Sequence, residues 1–556
     1  MRQHLVLGLI LLTTAVLHLT GIRWGLPDDR YRQFFYSSRE QALQLATGVS
    51  PAYLRESWSI SRASPAGKLP RSTFNIIRSF HPDEHNILKS ISTMDPARHD
   101  LNPHFFEYPT FYIYLVAALL KMLSLAGILT VTSDISYYFL HPSSMGELYL
   151  AGRCLTVFFG LLGVLFVYHA ARHLFDSDTG LFAALLLCLT PLYAINGHFL
   201  TVDVPMTALA CGGVYLLVLF LKSQRVGHLL LASVFFGLAA STKYPAAPLW
   251  LLVPMSAALS RRCVLAIFSR PVLYGCLLFL ASFFIGSPYI LIAPHEFLRD
   301  LAYQTSSRGV AFSLQGVLLF FRDSIPALWA GASTLAVLFG AGTVFCVMRP
   351  HASTLFVLSG LFLASSPLLV AGGFKYARYY LPLVPFLAIA AGCAAAHMLR
   401  ARAMRLPAAL CILLFTVGGA AKTVAYVVSM AGEDARIAAA AYIQRLPPQK
   451  TVGFLRDPWT FEVPPVNPFV RQVRIGDPAQ MSPPPDFLVV GELEQFPRAG
   501  DRRHIDWIQR YGTQYDAPVI ISRDPALCGF AFDTGFAFHD MLYTHPHIFI
   551  FRRRTQ

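Results

Sequence analysis

The stretch TVDVPMTALACGGVYLLVLFLKSQR, residues 201–225, decides the fold class. Val204–Leu221 is an apolar run, Asp203 stands at one end, and Lys222 and Arg225 stand at the other. A membrane-spanning helix needs about 20 mostly apolar residues. Basic residues gather where such a helix meets the cytoplasm. One segment of this kind also suits the core of a soluble protein, but the chain repeats it. Leu5–Thr20, Leu181–Ile195, Val272–Gly286, Ser333–Met348, Leu381–Met398 and Leu406–Ala421 have the same character. So many in succession identify an α-helical polytopic membrane protein.

Composition agrees. Of 556 residues, 55% are hydrophobic and 14% charged, well under the roughly 25% charged residues of a soluble domain. The mean hydropathy is +0.50. The net charge of +14 does not point to nucleic acid, because much of the Lys and Arg lies at the ends of apolar runs. Nine cysteines show no metal-like spacing, and most sit inside apolar stretches as small core residues. Met1–His4 precedes the first apolar run without a small-residue cleavage site after it, so an uncleaved first span is expected.

Basic clusters set the orientation. Arg172-His173, Lys222 with Arg225, Arg261-Arg262 with Arg270, Arg349, and Arg400, Arg402 and Arg405 all face the cytoplasm if the spans between them pair. Outer turns then fall at Asn196–Asp203, Ser241–Pro245, Ser287–Arg322 and Gly372–Tyr379. Counting Tyr108–Leu129 as a span would reverse every later loop, so it is expected to lie in the outer interface or to be re-entrant. The expectation is about 11 transmembrane helices in a module over 1–431, with a long outer loop over 23–147. The tail 432–556 has another character. Asp434–Leu446 has helical spacing. Strand-like runs follow at Thr451–Leu455, Phe487–Val490, Pro518–Ile521 and His547–Phe551, between Pro-rich turns. A small α/β domain on the outer side is expected.

The outer segments carry the candidate chemistry. His81-Pro82-Asp83-Glu84 suits a helix start, with Pro at its first position and carboxylates in its first turn. Ile87, Leu88, Ile91 and Met94 supply an apolar face behind it. Glu107-Tyr108-Pro109 opens the interfacial segment, and Arg153 lies near the outer end of the next span. Asp203, Lys243 with Tyr244, and Arg378 stand in later outer turns. Each alone is more often a snorkelling or helix-end charge. Gathered on one side, carboxylates with Lys and Arg suit a substrate with a phosphate leaving group at the membrane surface.

The order of these segments resembles the C-type glycosyltransferases, specifically the protein O-mannosyltransferase and aminoarabinose transferase superfamily. The resemblance rests on His-Pro-Asp-Glu (81–84), Glu-Tyr-Pro (107–109), Gly-Arg-Cys-Leu-Thr-Val-Phe-Phe-Gly (152–160) and Ala-Arg-His-Leu-Phe (171–175). It continues through Thr-Val-Asp-Val-Pro (201–205), Ser-Thr-Lys-Tyr-Pro (241–245), Gly-Ser-Pro-Tyr (286–289) and Ala-Arg-Tyr-Tyr-Leu-Pro-Leu-Val-Pro (377–385). It spans about three hundred residues and excludes the tail.

The resemblance implies a GT-C fold and inverting transfer of a sugar from a polyprenyl-phosphate carrier to an acceptor hydroxyl. Asp83 would be the base and Glu84 would support it or position the acceptor, while Lys243, Arg378 and Arg153 would hold the carrier phosphate, with Asp203 and Tyr244 beside them. Some relatives use a metal held by a Glu in the position of Glu107 and a His in a later outer loop. Phe297–Arg308 has no His and His295 lies early, so no metal is expected to be required, with a divalent metal at Glu107 left open. The family's Glu-Lys-Pro is Glu-Tyr-Pro here. The expected partners are a lipid-linked sugar donor, membrane lipids, and a protein, lipid or glycan acceptor. The expected location is a bacterial inner membrane with the tail periplasmic. A transporter or flippase of lipid-linked glycans is the competing class. It would show repeat symmetry and midplane charges, and neither is seen. A membrane scaffold ranks last.

Overall fold

Helix boundaries fall where the sequence supplies caps and breakers. The computed structural model describes residues 2–48, 76–308, 314–370, 376–456, 458–495, 513–532 and 538–554. Most of the insertion Tyr31–Phe80, and part of the turn expected at Gly372–Tyr379, lie outside the described residues. The chain is an α-helical polytopic membrane protein with a small C-terminal α/β domain. It divides into two units: Met1–Thr20, Asn102–Val116 and Arg153–Val427 form the first, and Gly21–Leu101, Ala117–Gly152 and Val428–Gln556 the second.

In the first unit the apolar runs become helices. Among the described residues six helical stretches are long and apolar enough to cross a membrane: Arg2–Leu19, Pro142–Leu174, Asp203–Ser223, Ala352–Val370, Ala377–Arg400 and Arg402–Gln444. Five shorter apolar helices accompany them, Phe111–Leu125 among them. At about 1.5 Å per residue, the 15 residues of Phe111–Leu125 give roughly 22 Å, short of the roughly 30 Å hydrocarbon layer.

The run Leu181–Ile195 divides into Ser177–Cys188 and Pro191–Asn196. Pro191 has no N–H to donate, and it drives Thr190 to an extended conformation. Asp176 caps the first of these helices by accepting from Thr179 N at 2.9 Å. Arg400 donates to Asp176 Oδ2 at 2.8 Å and to Asp178 Oδ2 at 3.0 Å. Leu5, Ile285, Ile325 and Leu414 are exposed, as side chains that face lipid should be.

Small residues bring helix backbones together. A Cβ on Gly342 would lie 2.4 Å from Ala391 N, and one on Gly392 would lie 2.8 Å from Thr179 O. Without water between them, helices in a bilayer associate by such close packing. The Ala-rich helix Val384–Arg400 is the buried centre of these contacts.

The second unit contains a sheet of β1 (Val452–Phe454), β2 (Val473–Ile475), β3 (Phe487–Gly491), β4 (Val519–Ile521) and β7 (Ile548–Arg552), in the order β2-β1-β3-β7-β4. β1 runs parallel to β2 and β3, and β7 runs antiparallel to β3 and β4. A hairpin of β5 (Ala526–Leu527) and β6 (Phe530–Ala531) stands apart. The helix Ala435–Gln444 lays Ala439 and Ile443 on Val452, Phe454, Val489 and Ile550. Asp434 caps it by accepting from Arg436 N at 2.8 Å.

The four strand-like runs and the helix of the tail are therefore found close to their expected places. The edge strand β2 and the hairpin are additions. Short, partly exposed strands carry little hydrophobic pattern, and pairing alone defines them.

Candidate active site

The helix Val226–Ala240 and the turn after it bring Lys243 to the start of the helix Asp203–Ser223. Lys243 is extended (φ −155°, ψ 126°) and precedes the 3-10 turn Tyr244–Leu251. Its Nζ donates to Asp203 Oδ1 at 2.6 Å, with the two side chains 8% and 3% exposed. Asp203 is the first residue of its helix, where the helix dipole favours a carboxylate. Thr207 Oγ1 donates to the Asp203 carbonyl at 2.8 Å.

Aromatic rings wall this pair. Lys243 Nζ lies 5.2 Å from the Tyr379 ring centroid and 5.9 Å from that of Tyr108. The Arg378 guanidinium stacks 4.2 Å from the Tyr376 centroid and 5.8 Å from that of Tyr379. Ring faces attract cations and shield them from water. A cavity of about 70 Å³ is lined by Asp203, Met206, Lys243, Arg378 and Tyr379, with Pro245, Pro367 and Pro382 among its apolar residues. Two cations and one carboxylate thus face one pocket, which suits a bound anion.

The other expected residues of this unit stand elsewhere. Arg153 is fully buried, with its guanidinium 5.8 Å from the Phe199 ring centroid, and it does not line the cavity. Tyr244 turns away, donating its hydroxyl to the Phe106 carbonyl at 3.1 Å and facing Phe297.

The helix Pro294–Arg308 pins the segment before Phe111, which sequence reasoning missed. Glu296 accepts from Asn102 Nδ2 at 3.3 Å and meets His104 Nδ1 at 2.9 Å. Asp300 Oδ2 accepts from Phe106 N at 2.9 Å, and Gln304 Nε2 donates to Glu107 Oε2 at 2.6 Å. Residues 296, 300 and 304 are four apart, so they share one helix face. That spacing was legible; its partner segment was not. Glu107 thus meets a neutral amide donor. Among the described residues no three His, Cys, Asp or Glu side chains gather as metal ligands.

Asp83 and Glu84 belong to the second unit. The helix they open runs Glu84–Ser92, two residues later than a start at Pro82, with Pro82 in the preceding turn. Asp83 occupies the cap position, but its side chain makes no cap hydrogen bond. It is half-buried, while Glu84 is fully buried. Asp83 N donates to His81 Nδ1 at 3.3 Å. Ile87 and Leu88 are buried behind the pair, as the apolar face requires. Burial, with Arg78 and Lys89 nearby, holds the His85 imidazole well below its usual range, and therefore neutral.

Residues 145–290 match the family model described as dolichyl-phosphate-mannose-protein mannosyltransferase. That segment includes Arg153, Asp203, Lys243 and Tyr244, and it leaves Asp83, Glu84, Glu107 and Arg378 outside. A comparison with curated protein sequences finds no match. Among solved structures, ArnT from Cupriavidus metallidurans bound to undecaprenyl phosphate is 14% identical with a TM-score of 0.43, over 98% of this chain and 97% of its own. The oligosaccharyltransferase AglB from Archaeoglobus fulgidus, in complex with an inhibitory peptide and a dolichol-phosphate, is 11% identical with a TM-score of 0.42. That match covers 97% of this chain and 74% of its own. The S. cerevisiae protein O-mannosyltransferase Pmt1-Pmt2 complex bound to the sugar donor is 16% identical with a TM-score of 0.30, over 57% of this chain and 36% of its own. The chain is similar to the glycosyltransferases of the C type.

Proposed function

We propose that this protein is a glycosyltransferase that moves a sugar from a polyprenyl-phosphate carrier to an acceptor hydroxyl on the extracytoplasmic side of the membrane. One observation carries the reading: Lys243, Asp203 and Arg378 line one pocket, and the first two lie in the segment that matches a lipid-phosphate-sugar transferase family. Tyr379, beside both cations, limits the water that would compete for them.

The chemistry follows from charge. The acceptor oxygen attacks the anomeric carbon while the bond to the carrier phosphate breaks, which inverts that carbon. Negative charge grows on the departing phosphate, where fixed cations stabilise it most. Asp203 pairs with Lys243 and aims it. Asp83 takes the hydroxyl proton as general base. Asp83 is half-buried rather than enclosed, so an acceptor can reach its side chain. Glu84, buried behind it, supports the helix start. No metal is required in this scheme. The protein belongs in a bacterial inner membrane with the C-terminal domain in the periplasm, and its acceptor is a protein, lipid or glycan.

The test is a transfer assay with purified protein and a panel of polyprenyl-phosphate sugars, comparing wild type with Asp83→Asn. Transfer by wild type and its loss in the variant support the reading. Movement of the lipid-linked sugar across vesicles without transfer would favour a transporter instead.

A further inference from the structure

The segment that carries Asp83 is held by residues far along the chain. Phe80, three residues before Asp83, stacks on the Arg436 guanidinium, whose Cζ is 4.1 Å from the Phe80 ring centroid and 5.3 Å from that of Trp24. Trp24 meets Phe80 edge-on with centroids 6.3 Å apart. Phe80 N donates to the Gly25 carbonyl at 2.9 Å. Gly25 has φ +62°, and a Cβ there would lie 2.9 Å from Phe80 Cβ, so only glycine permits this approach.

Arg436 is completely buried, and its planar fork makes four hydrogen bonds besides that of its own backbone N. Nε and Nη2 donate to the two Asp434 oxygens at 2.7 and 2.6 Å. Nη1 donates to the Phe461 carbonyl and Nη2 to the Tyr543 carbonyl, each at 2.8 Å. The Tyr543 ring in turn sits edge-on to His81, with centroids 5.3 Å apart at 86°. His81 accepts from Asp83 N. Phe461 and His539 flank Tyr543 at 5.6 and 5.3 Å, so its ring is fixed from three sides.

A buried ion pair contributes little net stability, because desolvating both charges offsets their attraction. What a stacked guanidinium supplies is geometry: it sets the plane of the ring it covers, which the flexible point charge of lysine does not. The ring it covers here is Phe80, three residues before Asp83, while His81 meets the Tyr543 ring.

We propose that Arg436 and Tyr543 are positioning residues for Asp83: the C-terminal domain holds Phe80 and His81 so that the acidic motif enters its helix with the Asp83 side chain half open. The role in catalysis rests on the reading of Asp83 as base, but the clamp itself does not.

The experiment uses the full chain purified in detergent, with Tyr543→Leu, Phe80→Leu, Arg436→Lys and Arg436→Met. Hydrogen exchange of the peptide 79–86 is compared with that of the β3 peptide 487–491, and transfer is measured as kcat and donor KM. Exchange over 79–86 should rise about tenfold or more in Tyr543→Leu and Arg436→Met while β3 stays protected. Arg436→Lys, which keeps the charge and loses the fork, should behave like Arg436→Met. Turnover should fall by about 10²-fold, the scale of a displaced catalytic group, with donor KM unchanged. Where an Arg436 substitution also deprotects β3, Tyr543→Leu and Phe80→Leu decide. Unchanged exchange over 79–86 in those two variants, or a rise shared equally with β3, would overturn the proposal. A loosened segment in a protein whose Asp83→Asn variant keeps full activity would uphold the clamp and refute the base.

Discussion

Lys243 and Asp203, forty residues apart, form a buried ion pair of 2.6 Å at the wall of a cavity that Arg378 also lines. Removing one partner of such a pair leaves an uncompensated charge and costs about 3–5 kcal/mol. Lys243→Met should therefore lower the thermal midpoint and abolish transfer. The double variant Asp203→Asn/Lys243→Met should regain most of the stability and none of the activity. Recovery of activity along with stability would show that the lysine serves the fold alone.

Asp83 and Glu84 should behave differently despite being adjacent. Asp83→Asn leaves a half-buried polar group of the same shape, so the protein should stay folded while kcat falls by about 10²–10⁴-fold, the usual contribution of a general base. Glu84→Leu, at a fully buried position, should lower stability as well. Circular-dichroism melts beside the transfer assay separate the two effects. Asp83→Asn at wild-type turnover would remove the proposed base.

The C-terminal domain should lose stability as pH rises. Burial, reinforced by the neighbouring Glu462 carboxylate, pushes Glu494 up to about 8. The folded domain thus holds a proton that the unfolded chain releases near the ordinary carboxylate range. Its stabilisation is full below that range and is lost as pH climbs toward about 8. Urea midpoints of the β3 region, followed by hydrogen exchange at pH 5, 6.5 and 8 (about the span over which the proton is lost), should fall in that order. Glu494→Gln should flatten the trend; an equally steep trend in the variant would assign it to another group.

Sidedness can be read from native cysteines. Cys263 lies beside the basic cluster Arg261-Arg262, and Cys528 lies at the hairpin of the C-terminal domain; both are exposed. An impermeant maleimide added to intact spheroplasts should label Cys528 and spare Cys263, and permeabilisation should expose Cys263. Labelling of both before permeabilisation would contradict the orientation drawn from the basic loops.

Several parts of this protein were determined by sequence alone, because local physics suffices for them. Apolar runs with cations at their ends become helices in a bilayer whatever their neighbours are, and Val204–Leu221 did so within the helix Asp203–Ser223. Asp434–Leu446 and the four strand-like runs of the tail were legible because burial on one side leaves a periodic pattern. The candidate residues were legible as residue types in turns expected on the outer side. Their partners were not. Only the tertiary structure decided that Lys243 meets Asp203, that Tyr244 turns to Phe106, and that Glu107 is taken by Gln304. It also stacked Arg436 on Phe80. These pairings join positions tens to hundreds of residues apart. They depend on which helix faces and loop backbones approach one another, and no local pattern of hydrophobicity or charge encodes that approach.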